Sequence, residues 1–137
     1  MNMPVADLQS KITEIARHID SGNASRAADY FAEKSTLQFS GHAPNQGVIE
    51  GLSAIRSFFQ QRQDNEKLLT RHLISNLRIT STDANCFRLD YIYNVYRGQL
   101  GHALPDENFV CDVSDVFQQE DQDWKIIQRE VAVIFKR

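Results

Sequence analysis

The chain has 137 residues, 42% of them apolar and 24% charged, with a formal net charge of −3. That is the length of one domain, with enough apolar content to fill its own core. Acids and bases are interspersed, so nothing argues for a nucleic-acid partner. No apolar run approaches a membrane span, and Met1-Asn2-Met3-Pro4 lacks the charged and apolar regions of a signal peptide, so no membrane partner is expected and the cytoplasm is the expected location.

Leu8, Ile12, Ile15, Ala16 and Ile19 recur at helical spacing and predict a first helix from about Asp7 to Ile19, with Asp7 or a neighbour as its cap. Ser21-Gly22-Asn23 breaks it. A short second helix follows over about Ala24 to Ala32, and Thr36 to Ser40 is β-rich and reads as a first short strand. Gly41 to Gly51, dense in Gly, Pro and Asn, reads as a loop. A third helix, Leu52 to about Gln63, presents Leu52, Ile55, Phe58 and Phe59 as its apolar face, and Asp64 to Lys67 is a polar linker.

From Thr70 the period changes to two. Strands are predicted over Thr70–Thr80, Asn85–Arg97, Phe109–Gln119 and Trp124–Phe135. Phe87, Leu89, Tyr91, Tyr93 and Val95 alternate onto one face of the second. In the last, Ile127, Val131, Val133 and Phe135 share a face, and Arg129 falls among them. Helices followed by an antiparallel meander define an α+β fold, with N-terminal helices packed on one face of a strongly curved antiparallel sheet. The expectation is one domain over residues 1–137, its core about 8–135. The sheet's edge and convex face need covering, so a homodimer is expected.

Three residues carry chemistry. His72 has the side chain best matched to proton transfer near neutral pH, Asp20 could fix its tautomer, and Arg129 could hold an anion. Each has a plainer reading: Asp20 as a turn residue or cap, His72 as a partly buried strand residue, and Arg129 as half of a structural ion pair. Asp115, on a face with Val113 and Phe117, is the candidate partner of Arg129 or a second acid. Strict alternation sets His72 opposite Leu73, Leu77 and Ile79, on a more polar face with Ile74, Asn76 and Arg78. A β-bulge near Ser75-Asn76 would reverse that. Cys86 and Cys111 read as buried, reduced thiols. His18, His42 and His102 form no metal-ligand spacing, and no phosphate loop, nucleotide fingerprint or nucleophile motif is present, so neither metal nor cofactor is expected.

A set of short segments occurs in a particular order between Leu8 and Phe135. Ile19-Asp20-Ser21-Gly22-Asn23 ends the first helix, and Tyr30-Phe31-Ala32-Glu33 leads to Leu37-Gln38-Phe39. Gly51-Leu52-Ser53-Ala54-Ile55 opens the helix that reaches Phe58-Phe59. Thr70-Arg71-His72-Leu73-Ile74-Ser75-Asn76 begins a strand, and Asp123-Trp124-Lys125-Ile126 runs on to Arg129. This order resembles the nuclear-transport-factor-2-like superfamily and, within it, the SnoaL-like group. The resemblance implies a cone-shaped fold enclosing a pocket for a small hydrophobic molecule. Its relatives include scytalone dehydratase, bile-acid dehydratases and hexachlorocyclohexane dehydrochlorinase. By resemblance His72 is the general base, Asp20 orients it, and Arg129, matched in the last two, steadies the developing anion. Where scytalone dehydratase places two phenols and a second histidine, this chain has Ile19, Phe39 and, approximately, Asn94. Phe39, Phe58, Phe59, Tyr91, Tyr93 and Asp115 are expected at the pocket, with Phe31 and Phe87 as further aromatic candidates. The implied function is a cofactor-free lyase or isomerase acting on a small ring-containing substrate. The alternative is a non-catalytic ligand-binding or accessory dimeric subunit, since Arg71 to Asn76 also looks like the β subunits of ring-hydroxylating dioxygenases.

Overall fold

In the computed structural model, which describes residues 4–137, helix α1 runs over Val5–Asp20. Leu8, Ile12, Ile15, Ala16 and Ile19 form its buried stripe, as their spacing predicts. Each fully buried Leu or Ile contributes roughly 1.5–3 kcal/mol. The helix starts earlier than expected. Pro4 takes the cap position, and Asp7 lies in the first turn, where a negative charge suits the helix dipole.

Ala24–Tyr30 is a 3-10 helix that buries Ala24, Ala27 and Ala28. It is shorter than the predicted second helix because Phe31 is already extended, and strand β1 spans Phe31–Gly41. The predicted loop holds a short strand, β2 (Gly47–Glu50), which pairs antiparallel with β1. Gly41 permits the close approach of β1 to the last strand: its φ is +69°, and a Cβ there would lie 2.3 Å from the carbonyl oxygen of Val133. Gly51, at φ +88°, turns the chain into helix α2 (Leu52–Asp64), which buries Ile55 and Phe59. Strands β3 (Leu68–Asp83), β4 (Cys86–Gln99), β5 (Glu107–Glu120) and β6 (Asp123–Lys136) complete the chain.

The six strands form one curved sheet in the order β2-β1-β6-β5-β4-β3. The expected antiparallel meander is β3 to β6. The sheet as a whole is mixed, because β1 runs parallel to β6. Helices α1 and α2 and the 3-10 helix cover one face and build a single core with its inward residues.

Three irregularities set the curvature and the side-chain faces. In β3, Ser75 pairs with Ile92 and Arg78 with Asp90, so Asn76 and Leu77 together oppose Tyr91, with Asn76 at φ 57°. In β6, Val116 pairs with Gln128 but Phe117 with Ile126, which leaves Ile127 as the extra residue. Ile126, not Ile127, therefore shares the buried face with Arg129, Val131 and Val133. A second break makes Ile134 the extra residue, and Phe135 is 68% exposed instead of joining the buried face. Cys86 and Cys111 are free thiols. Among the described residues, no helix is long and apolar enough to cross a membrane.

Candidate active site

Asp20 is the last residue of α1, and α1 packs against β3. The helix end thus delivers a carboxylate to the strand. Asp20 Oδ1 lies 2.6 Å from Nδ1 of His72, and Oδ2 accepts the His72 backbone N–H at 2.7 Å. Oδ1 also accepts the hydroxyl of buried Thr70 at 2.8 Å, and Thr70 Oγ1 in turn accepts Nη2 of Arg62 at 3.1 Å. Arg71 Nη1 donates to the Asp20 carbonyl at 3.2 Å, closing the helix terminus. Burial works to raise the Asp20 carboxyl. The hydrogen bonds and charge of His72, with help from Thr70, outweigh it and hold the group below its ordinary value. An ionised Asp20 accepts the Nδ1 proton, and in the neutral imidazole that leaves Nε2 as the acceptor.

The bulge at Asn76 decides where His72 points. Thr70, His72 and Ile74 face inward, and so do Leu77 and Ile79 beyond the extra residue, while Leu73 is half exposed. The bulge therefore brings His72 onto the apolar side. Its ring meets Tyr93 edge-on, with centroids 4.8 Å apart.

Arg129 and Asp115 pair across β5 and β6. Nε donates to Oδ1 at 2.6 Å and Nη2 to Oδ2 at 2.9 Å; Asp115 is 0% and Arg129 2% exposed. Tyr91 donates its hydroxyl to Asp115 Oδ2 and accepts Arg129 Nη2 at 3.0 Å. Burial alone would lower the Arg129 guanidinium, but the Asp115 charge raises it well above its ordinary value. Burial pushes the Tyr91 phenol well up. The guanidinium sits over the rings of Phe31 and Tyr93, 5.8 and 6.0 Å from their centroids. Among the described residues the buried Tyr93 hydroxyl has no hydrogen-bond partner. Its phenol too is raised by burial, against the pull of Arg129.

A cavity of about 370 Å³ opens between α2 and the sheet, and His72, Tyr93 and Arg129 all line it. Of the aromatic candidates, Phe39, Phe58, Phe59 and Tyr93 are in its wall. Tyr91 and Asp115 are not: their side chains are turned to Arg129 behind the wall, so they support the lining without forming it. Phe31 lies under Arg129, and Phe87 packs against Trp124. Cys111 lines the cavity, its thiol pushed up to about 11 by burial and by Asp112. His18 is half-buried beside Tyr30, and no three metal-ligating side chains cluster among the described residues.

Sequence reasoning missed Thr70, Arg62 and Arg97. Each had a signal. Thr70 is two residues before His72 on the same strand face. Arg62 continues the Ile55–Phe59 stripe of α2. Arg97 continues the Phe87-to-Val95 alternation, and both arginines line the cavity.

Residues 5–130 match the SnoaL-like domain family. The chain belongs to that family. No curated protein sequence matches it. Among solved structures, the SnoaL-like chain is similar to a candidate scytalone dehydratase from Novosphingobium aromaticivorans, with TM-score 0.81 and 17% identity over 95% of this chain and 83% of that one. It is similar to a type 2 hexachlorocyclohexane dehydrochlorinase, with TM-score 0.78 and 12% identity over 96% and 86%. A protein from Catenulispora acidiphila in complex with S-DNPA gives TM-score 0.72 and 20% identity over 94% and 92%. At these identities the structures establish the shared cystatin-like, nuclear-transport-factor-2-like fold.

Proposed function

We propose that this SnoaL-like protein is a cofactor-free lyase or isomerase acting on a small, largely apolar, ring-containing molecule. The observation that carries the reading is the 2.6 Å contact between Asp20 and His72 Nδ1 on a histidine that lines the cavity. In this reading His72 Nε2 takes a proton from carbon. The C–H electron pair forms a new C=C bond as the leaving group departs from the neighbouring carbon with its own pair. When hydroxide leaves, the proton on His72 passes to it and water is released. When chloride leaves, the proton passes to solvent. Asp20 stabilises the imidazolium between these steps. Arg129 has Nε and Nη2 committed to Asp115 and Tyr91, and Nη1 is outside those bonds. A guanidinium fixed in this way steadies developing negative charge without having to reorganise. The similarity to a candidate scytalone dehydratase and to a dehydrochlorinase supports an elimination, and the S-DNPA complex supports a small-molecule occupant.

The test is proton exchange in D2O, followed by NMR, at the acidic carbon of cyclic ketones such as 2-tetralone and of chlorinated cyclohexanes. Exchange or elimination faster than buffer, lost in a folded His72→Ala variant, is the expected result. No acceleration across both classes, or unchanged rates in His72→Ala, would overturn the mechanism.

We also infer a homodimer, with the uncovered face of the sheet as its contact. Leu73, Asn94, Val110 and Phe135 are in register across four strands there, and Leu73 and Phe135 are 50% and 68% exposed. Sedimentation equilibrium should give a dimer for the wild type and a monomer for Leu73→Glu; a monomeric wild type refutes it.

A further inference from the structure

The cavity wall carries three guanidiniums and, among the described residues, no acidic side chain. Arg129 is neutralised by Asp115 behind it. The other two, Arg62 on α2 and Arg97 on β4, are not neutralised in this way. Arg62 is half-buried and donates to the Thr70 hydroxyl, and among the described residues no carboxylate lies within ion-pair distance of it. Arg97 has only a long contact, Nε to Glu107 Oε1 at 3.8 Å, and Glu107 also serves Lys136 at 3.5 Å. Arg62 donates to Thr70, and Arg97 is the residue paired with Thr70 across β3 and β4, so the two arginines are neighbours on the wall. Burial depresses Arg62, Asp20 opposes that, and the charge of Arg97 adds to the depression. Like charges on a partly desolvated wall repel, and an anion placed between them removes the penalty. Beside Arg62 the lining is polar and exposed (Gln61, Asn65), the Arg97 side chain is 37% exposed against 13% for His72, and the aromatic Phe109 is buried. The guanidinium of Arg97 thus lies nearer solvent than His72 and the buried aromatic surface of Phe109 do.

We propose that the occupant is a ring compound bearing a carboxylate, its acid group held between Arg62 and Arg97 and its apolar body extending inward toward His72. Two guanidinium forks suit a planar carboxylate. A volume of about 370 Å³ admits one or two fused rings with such a group and no nucleotide-sized carrier. This rests on the reading of the cavity as a substrate site and names the substrate class. It also gives the acid a positioning role: a molecule anchored at the mouth presents the carbon farther along its ring to the imidazole.

The test is isothermal titration with 2-naphthoate and its neutral near-isostere 2-naphthamide at low salt, where charge contacts are least screened. The expected result is that naphthoate binds the wild type about 10-fold or more tighter than the amide, the scale of one good charge-assisted contact. The preference should fall to less than about 3-fold in Arg97→Gln and in Arg62→Gln. Arg62→Gln also removes the donor to Thr70. Arg97 lies across β3 and β4 from Thr70 but makes none of the side-chain hydrogen bonds of Thr70 or Asp20, so Arg97→Gln leaves those bonds in place and keeps the test valid if the first variant fails to fold. Equal binding of acid and amide, a preference that survives both substitutions, or no binding of either compound overturns the proposal. Titrating His72→Ala separates this from the catalytic reading. A retained carboxylate preference supports the anion site whether or not the wild type turns anything over, and a lost preference there would assign the charge selectivity to the imidazole and overturn it.

Discussion

Asp20 grips His72 at two points, Oδ1 on the ring nitrogen at 2.6 Å and Oδ2 on the backbone N–H at 2.7 Å. One carboxylate therefore fixes both the strand position and the ring orientation, and the imidazole has little freedom to rotate away. Asp20→Asn keeps the size but offers an amide where an acceptor is needed. Turnover in that variant should fall about 10²- to 10⁴-fold, the range over which a positioned base contributes. The KM should change little, because Asp20 itself is not in the cavity wall. Steady-state kinetics on the substrate found by the exchange assay checks this, and a loss confined to KM contradicts it.

The same contact makes stability depend on pH. In the folded chain the Asp20 carboxyl is held below its ordinary value. As pH falls, the unfolded chain therefore binds the proton first. The stabilisation is whole above about pH 4, where the unfolded carboxyl is ionised, and drains away as pH falls through the lower folded value. Urea unfolding should place Asp20→Asn below the wild type at neutral pH, with the gap narrowing under about pH 4. A gap that widens on acidification would show that the carboxylate is not stabilised by folding.

Arg129 and Asp115 are both buried, and removing one strands the charge of the other. Arg129→Met or Asp115→Leu alone should cost about 3–5 kcal/mol, read as a large drop in melting temperature. The double variant should recover much of that loss, because apolar side chains then replace the ion pair. A double variant as unstable as the sum of the singles would mean that the pair is not the unit of stability.

Asn76 sits in the left-handed region, at φ 57°, where Asn and Gly are tolerated and β-branched residues are not. Asn76→Gly should be close to neutral, and Asn76→Val should cost about 1–2 kcal/mol. Chemical denaturation distinguishes them. Equal losses would mean that the bulge does not demand this conformation.

This residue also shows how far the sequence could be read. Alternation alone turns His72 outward, and the correct face follows only when Asn76 absorbs one position. A sequence hints at such a bulge but does not fix it, because the extra residue is chosen by the register of both neighbouring strands. The same blindness put Ile127 and Phe135 on the buried face of β6, where two extra residues, Ile127 itself and Ile134, shift the count. By contrast, the stripe of α1 and the β4 face from Phe87 to Val95 were legible because no irregularity interrupts their periods. The Arg129–Asp115 pairing was legible for a different reason: a charge amid apolar neighbours needs a partner, and Asp115 is the acid on the equivalent face of the adjoining strand. Tyr91 looked like a lining residue, since alternation gives the face but not the depth. The partnership with Arg129 draws it behind the wall.

Because β1 lies parallel to β6, the earliest strand has no seat in the main sheet until the latest one has been made. On the ribosome, α1, α2 and the β1–β2 hairpin must wait, holding Phe31, Leu37 and Phe59 uncovered, while the chain from Asn65 through β6 is translated. Nascent chains halted before Asp123 should therefore be protease-sensitive throughout and dependent on chaperones, and protection of both halves should arrive together once β6 emerges.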